Sequence, residues 1–351
     1  MSWKTQLKAE PIDWLLEPKN PSVRYFTLRD ILDRPENDSE VTAARKSIVK
    51  SKVVERILSK QHPDGYWDKS IQPYHPKYKS SYWQVMILGQ LGMDKDDERI
   101  QKACDFIFRF QLAEGGFSSY SKKEASLEYH RLSMKSIAKG KPLPDRKVWM
   151  QSFITEHQYS CLTGNMVAAL IRLGYKEDPR VQKALDWLTS IQNEDGGWLC
   201  PYWHAHIKDT HSCFYGTICP LEAFSEIPEA ERSNEIKRVI ERGAEFLLMH
   251  RLFKADHHNF QVIKPQWLKL GFPWFYGYDI LRGLVILTKL GYTKDERLND
   301  AVEVLLEKQQ PDGKWILEST PAGRMWINIE AKGQPSKWIT LNALRVFKNT
   351  E

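Results

Sequence analysis

With 351 residues, 42% hydrophobic content and 13 tryptophans, the chain carries enough apolar mass for a large core, which excludes a disordered polypeptide. No apolar run reaches the roughly 18 residues that span a bilayer, and the N-terminal MSWKTQLKAEPIDWLLEP lacks the apolar stretch of a signal peptide. A cytoplasmic protein without a transmembrane segment is expected, its five cysteines reduced rather than paired as disulfides. The net charge is only +6, with no basic stripe, helix-turn-helix or finger spacing, so nucleic acid is not an expected partner.

Along the chain, a short apolar segment at 12–16 precedes a helix expected at 23–32 and another at 41–60. Then comes Gln61-His-Pro-Asp-Gly65-Tyr-Trp67. A helix apolar nearly all round is expected at 82–92, followed by Asp94-Lys-Asp-Asp97 in a short charged loop. Next are the amphipathic Lys102-Ala-x2-Phe-Ile segment and Gln111-Leu-Ala-Glu-Gly115-Gly-Phe117. Residues 121–147 interrupt this order with eight Lys/Arg against three Asp/Glu, a basic insertion at about 120–150. The alternation resumes with an apolar helix at 161–174, the Lys183-Ala-x2-Trp-Leu segment and Gln192-Asn-Glu-Asp-Gly196-Gly-Trp198. Further apolar helices are expected at 213–224, 276–291 and 337–347. Between them lie Arg242-Gly-x2-Phe-Leu, which lacks the Gln and Gly after it, and Asp300-Ala-x2-Val-Leu with Gln309-Gln-Pro-Asp-Gly313-Lys-Trp315.

These pieces are copies of one unit. Ala184, Trp187, Leu188 and Ile191 fall at the i, i+3, i+4, i+7 spacing of an amphipathic helix. The glycine that follows suits a left-handed helix end, the Gln is expected to bond the turn, and the aromatic packs over it. Helices apolar on all sides are buried on all sides. About twelve helices in six hairpins, the first at 12–16 partnering the last, predict an all-α, single-domain α/α toroid over residues 1–351. The Lys/Arg-Gly/Ala-x2-aromatic-aliphatic-x3-Gln-x3-Gly-x-Trp element resembles the QW motif of squalene and oxidosqualene cyclases. The hairpin toroid is similar to that of protein prenyltransferase β subunits. The resemblance covers about residues 40–350 and implies an enzyme acting on an apolar, isoprenoid small molecule in the central cavity.

Squalene-type cyclases protonate their substrate with a D-x-D-D motif, which Asp94-Lys-Asp-Asp97 matches formally. Its place in a solvated loop before a helix reads as helix capping, since a general acid needs a desolvated pocket. Asp279, within Trp274-Phe-Tyr-Gly-Tyr278-Asp, is the candidate acid instead. The densest group of metal-ligand types is Cys161, Cys200, His211 and Cys213, with Cys161 and Cys213 in one register at the starts of successive inner helices. Three thiols and an imidazole suit four-coordinate zinc. The prenyltransferase resemblance implies a zinc pair at His211-Ser212-Cys213, where the family has Asp-x-Cys, with Tyr276 at the position of the family's zinc histidine. The alternative use is a thiol nucleophile, Cys213 with His211 or Cys161 with His157. Cys104 and Cys219 read as core.

Aromatic residues near the starts of inner helices, Trp83, Trp203, Phe214, Tyr215, Trp274, Tyr276, Tyr278 and Trp338, form a candidate apolar lining that holds an isoprenoid or steadies a carbocation by its π faces. The insertion at 121–147 reads as a solvated basic surface segment; the sharper reading is a cover over that mouth, with Lys122, Lys123, Arg131 and Lys135 meeting a diphosphate. The competing reading is a non-catalytic toroid that binds a lipid or a protein.

Overall fold

The computed structural model describes residues 3–199 and 211–350. Its α-helices, among the described residues, are α1 (Ile12–Leu15), α2 (Pro21–Phe26), α3 (Ser39–Ile48), α4 (Lys52–Leu58), α5 (Ser81–Gln90), α6 (Glu98–Phe108), α7 (Lys122–Ala138), α8 (Arg146–Glu156), α9 (Ser160–Arg172), α10 (Pro179–Ser190), α11 (Phe214–Ser225), α12 (Asn234–Met249), α13 (Ile280–Lys289), α14 (Asn299–Glu307) and α15 (Lys337–Asn349). A π-turn, Thr27–Ile31, extends α2. The inner ring runs α2, α5, α9, α11, α13, α15, and α15 packs back on α2. Each inner helix is backed by an outer partner: α3, α6, α10, α12 and α14 in turn, and the N-terminal 3₁₀ turn Trp3–Gln6 behind α15. This is the expected all-α toroid, closed end to end, although the partner of the last inner helix is the turn Trp3–Gln6 rather than the segment expected at 12–16. The buried faces follow the predicted patterns, with α5 apolar on every side and α6 buried only along Ile100, Ala103, Cys104, Phe106, Ile107 and Phe108.

The repeated Gln, Gly and aromatic residues hold the ring together. Gln192 Nε2 donates to Gly196 O at 2.7 Å in its own turn and to Val239 O at 2.8 Å in the next outer helix. Gln61 does the same to Gly65 and Arg99, Gln111 to Gly115 and Arg180, and Gln309 to Gly313 and Ala9. Indole N–H groups of Trp67, Trp198 and Trp315 each donate to a carbonyl of the preceding helix at 2.8 Å. The staple expected within one turn therefore also clamps neighbouring repeats. Glycine is required because the turn lies against backbone. Gly196 has φ +91°, and an added Cβ would sit 2.4 Å from Arg242 O. Gly196→Ala is expected to cost about 2–5 kcal/mol from left-handed strain plus the clash. Urea unfolding checks this; a midpoint like that of the parent protein would show that the seam yields.

The local differences from expectation have simple causes. The helix expected over 41–60 breaks into α3 and α4 because Ser51 starts a new helix, accepting from Val54 N at 3.3 Å. The last-but-one inner helix begins at Ile280 rather than 276, because Asp279 caps it and Pro273 and Gly277 hold the preceding residues in a loop. The insertion is a helical hairpin, α7 packed on α8, with a capping box at Ser121 and Glu124. Asp97 caps α6, as its loop position implies.

Candidate active site

The centre of the toroid is filled rather than hollow. Residues 271–278 thread into it and are pinned from two inner helices. Gln90 on α5 grips Trp274 twice, Nε2 donating to its carbonyl at 2.6 Å and Oε1 accepting from its N–H at 3.0 Å. Arg282 on α13 donates to Phe275 O and Gly277 O, both at 2.6 Å. This plug divides the space into two cavities. One, of about 500 Å³, lies toward the starts of α9 and α13, and is walled by Tyr74, Tyr159, Tyr215, Trp267, Trp274 and Tyr276 among others. That volume is within the roughly 300–1,000 Å³ of small-molecule sites.

Asp279 lines this cavity and is 6% exposed. As the cap of α13, its Oδ1 accepts from Arg282 N at 2.8 Å and its Oδ2 from Gly271 N at 3.0 Å. Burial pushes its carboxyl up, the two N–H groups restrain the rise, and the balance is a pKa of about 6. A carboxyl protonated in an appreciable fraction of molecules near neutrality, facing aromatic rings, has the chemistry of a general acid. The rings are ordered among themselves. The Tyr78 and Tyr276 hydroxyls are 3.2 Å apart, Tyr78 stacks on Phe275 at 4.9 Å, and Lys77 stands 4.6 Å over Tyr276. Burial, with the Tyr276 hydroxyl bond, raises the Tyr78 pKa, so Tyr78 stays neutral.

The candidate residues divide among several places. Cys161, Tyr215, Trp274, Tyr276, Tyr278 and Asp279 line the cavity. Two supply a second layer: Trp83 packs behind Tyr74, Tyr78 and Phe275, and Phe214 behind Trp267 and Tyr278. Trp338 stacks on Phe272 at 4.5 Å and lines the opposite cavity. Trp203 and Cys200 lie outside the described residues. His211 turns toward the outer layer, its ring 5.4 Å from Phe246 and 5.6 Å from His250, while Cys213 is buried as the cap residue of α11. His157 Nδ1 lies 2.6 Å from Phe153 O. Among the described residues no three His, Cys, Asp or Glu side chains are grouped to hold a metal, and the described members of the zinc set face different layers. Burial pushes both Cys104 and Cys219 up to about 12, in keeping with core thiols. Residues missed from the sequence, Tyr74, Lys77, Tyr78, Tyr159 and Trp267, mostly sit in loops leading into the ring. The Tyr74-His-Pro-Lys-Tyr78 cluster just ahead of α5 was their one local signal.

The second cavity, about 480 Å³, opens at the other end of the ring and is charged. Between the cavities runs a buried ion network. Glu222 accepts from Arg172 at 2.6 Å and from Arg282 Nε at 2.8 Å, and Arg172 also reaches Glu226 at 2.7 Å. Burial alone would raise Glu226, but Arg172 and Lys289 outweigh it and hold the carboxyl at about 2.

With both cavities and the repeat staples described, the comparisons take their place. The family model for the prenyltransferase alpha-alpha toroid domain matches residues 39–137 and 142–261, well over half of the chain. The chain belongs to that family. Two curated relatives of the toroid are lanosterol synthases. That of Aspergillus fumigatus is 22% identical over 246 residues, 63% of this chain and 28% of the relative. That of Gibberella zeae is 23% identical over 257 residues, 66% of this chain and 29% of the relative. The toroid thus spans under a third of the length of these relatives. The type II terpene cyclase MstE from Scytonema overlays 94% of this chain and 87% of its own, with 16% identity and a TM-score of 0.44. The repeat-built toroid is terpenoid cyclase-like. No described helix is long and apolar enough to cross a membrane.

Proposed function

We infer that the toroid takes a linear isoprenoid into the aromatic cavity and that Asp279 starts its cyclisation by protonation. The observation that carries this reading is a buried carboxyl, with a pKa of about 6, in the wall of a cavity lined by tyrosine and tryptophan rings. The cyclase-like relatives support the substrate class. In the reaction, the Asp279 proton passes to a terminal alkene carbon or epoxide oxygen. The carboxylate is left behind, and a tertiary cation forms. The next double bond supplies the electron pair that closes a ring. Ring faces such as those of Trp274, Tyr276 and Trp267 stabilise the moving positive charge. Loss of a proton to water ends the sequence, so substrate and product are isomers.

The test is incubation with farnesyl- to squalene-sized isoprenoids and their terminal epoxides. Binding is followed by tryptophan fluorescence and products by gas chromatography–mass spectrometry. Saturable binding and a new compound of unchanged mass are expected. Trp267→Ala is expected to weaken binding about tenfold through the lost aromatic contact. Asp279 has both oxygens on backbone N–H groups, which also suits a purely structural cap. Binding without any isomeric product would assign the toroid as a non-catalytic carrier. Absence of binding would sink both.

A further inference from the structure

The charged cavity at the carboxyl ends of the inner helices has no part in the isoprenoid reading. Arg172, Ser225 and Lys289, the last residues of α9, α11 and α13, stand in its wall. Five cationic and four acidic residues line it, which leaves a single positive charge to be balanced. Its carboxylate oxygens are all in use. Asp30 accepts from Arg29 and Arg345, and Asp94 from Arg45 and the Asp96 N–H. Glu222 accepts from Arg172 and Arg282, and Glu226 from Arg172 and Lys289. Its donors are not all in use. Arg172 bonds through Nε and Nη2, leaving Nη1 without a partner among the described residues, and Lys289 Nζ meets only Glu226, at 2.9 Å. Trp338, in the same wall, is 2% exposed, and its indole N–H has no acceptor among the described residues.

Ammonium, guanidinium and indole groups donate and do not accept, so the spare N–H groups call for acceptors that the cavity's own carboxylates no longer supply. Lys289 is also repelled by Arg172 and Arg345. A neutral acceptor would satisfy the N–H groups and leave that repulsion; an oxyanion answers both, through charge-assisted bonds. The rest of the wall is apolar, with Val285, Ile286 and Phe272, which stacks on Trp338 at 4.5 Å. About 480 Å³ of space holds more than a headgroup. We propose that this cavity binds an organic carboxylate, its headgroup on Arg172 and Lys289 and its apolar body against Phe272 and Trp338. The site lies across the plug from the aromatic cavity and stands whether or not the isoprenoid reading holds.

The test is isothermal titration calorimetry of the full chain with octanoate, octyl phosphate, octanol and octylamine, beside Lys289→Met and Trp338→Phe. Lys289 is exposed and Phe keeps the stack on Phe272, so unchanged melting is the control. The expected result is a single octanoate per chain, bound about tenfold or more tighter than octanol and weakened by salt through screening. Lys289→Met is expected to weaken it about tenfold, through the lost bond to a charged donor, and Trp338→Phe about threefold, through the lost N–H. Trp267→Ala, in the aromatic cavity, should leave octanoate binding unchanged. No saturable binding, or octanol bound as tightly, overturns the site. Binding that Trp267→Ala abolishes and the other two variants keep places the anion in the aromatic cavity and overturns it too. Octylamine preferred over octanoate would show that the negative ends of the helix dipoles outweigh the cations, with the same consequence. Octyl phosphate bound more tightly than octanoate overturns the singly charged headgroup. The headgroup comparison uses the parent protein alone, so it decides the matter even where a variant fails to fold.

Discussion

Asp279→Asn is expected to lower isoprenoid turnover by about 10²–10⁴-fold, the usual contribution of a positioned general acid. The amide cannot donate a proton to carbon, and its shape lets the cavity stay largely intact. One of its two polar atoms becomes a donor facing a backbone N–H of Gly271 or Arg282, so a loss of about 1–2 kcal/mol in stability accompanies it. The pH profile separates acid from cap. With a pKa of about 6, the protonated form dominates below that pH and falls tenfold per unit above it, so the rate should decline from pH 6 upward. Stability carries the same sign. Asp279 is raised from 3.8 to about 6, so its favourable contribution is complete below the unfolded value and is lost as pH rises through about 6, by about 3 kcal/mol in all. The Glu222 and Glu226 carboxyls are depressed, so their contribution is lost as pH falls below about 4.5. Maximum stability is therefore expected in the mildly acidic range, and Asp279→Asn should remove the loss on the alkaline side alone. A turnover profile flat from pH 5 to 8 would show that another group supplies the proton.

Glu222→Ala is expected to destabilise the toroid by about 3–5 kcal/mol, the cost of leaving a buried cation without its partner. Arg282 is fully buried, and Glu222 binds it through both Nε and Nη2. Arg172 loses one of its two carboxylates but keeps Glu226. Against a typical total of about 5–15 kcal/mol, this is a large share, visible as a lowered melting temperature. The damage should also reach the site, because Arg282 holds the carbonyls of Phe275 and Gly277 in the central plug. Weaker isoprenoid binding is expected at temperatures where the variant is still folded. Parent-like melting with parent-like binding would show that Asn165, whose Oδ1 accepts from Arg282 Nη2 at 2.8 Å, and the two carbonyls satisfy Arg282 unaided.

Much of the ring was legible because its repeat is enforced at single residues. Gln, Gly and Trp each meet backbone groups of a neighbouring repeat, so the pattern recurs with fixed spacing. The acid candidate was legible for a different reason. A carboxylate inside an aromatic run is costly unless it is capped or used, and Asp279 stands in such a run. The lining was only partly visible. Tyr276 and Tyr278 belong to a loop fixed by Gln90 and Arg282, contacts over 184 and 5 residues that no local period announces. Trp338 shares the start of an inner helix with the others, yet the plug places it on the opposite cavity. Cys161 and Cys213 illustrate the limit of register read from sequence. Thr163 and Thr217 accept equivalent backbone N–H groups, from Phe117 and Trp198, so the position equivalent to Cys161 is Tyr215, which shares its cavity, while Cys213 stands two residues earlier as a helix cap.

An open array of repeats frays from its ends, where each terminal unit lacks a neighbour. Here the last staple, Gln309, bonds Lys8 N at 2.7 Å and Ala9 O at 3.1 Å, so the first and last units are each other's neighbours and every unit is interior. Loosening must then begin at a seam. The seam between α12 and α14 has no glutamine staple; Arg251 and Lys254 on Asp300, and Arg297 on Glu245, hold it instead. Mobile ions screen those contacts far more than the amide–carbonyl contacts of the stapled seams. Four staples serve six seams, and where α15 meets α2 the chain likewise relies on ion pairs, Arg345 on Asp30 and Lys348 on Asp33; ionic strength thus acts on two lines of the circle, the latches at which the ring parts.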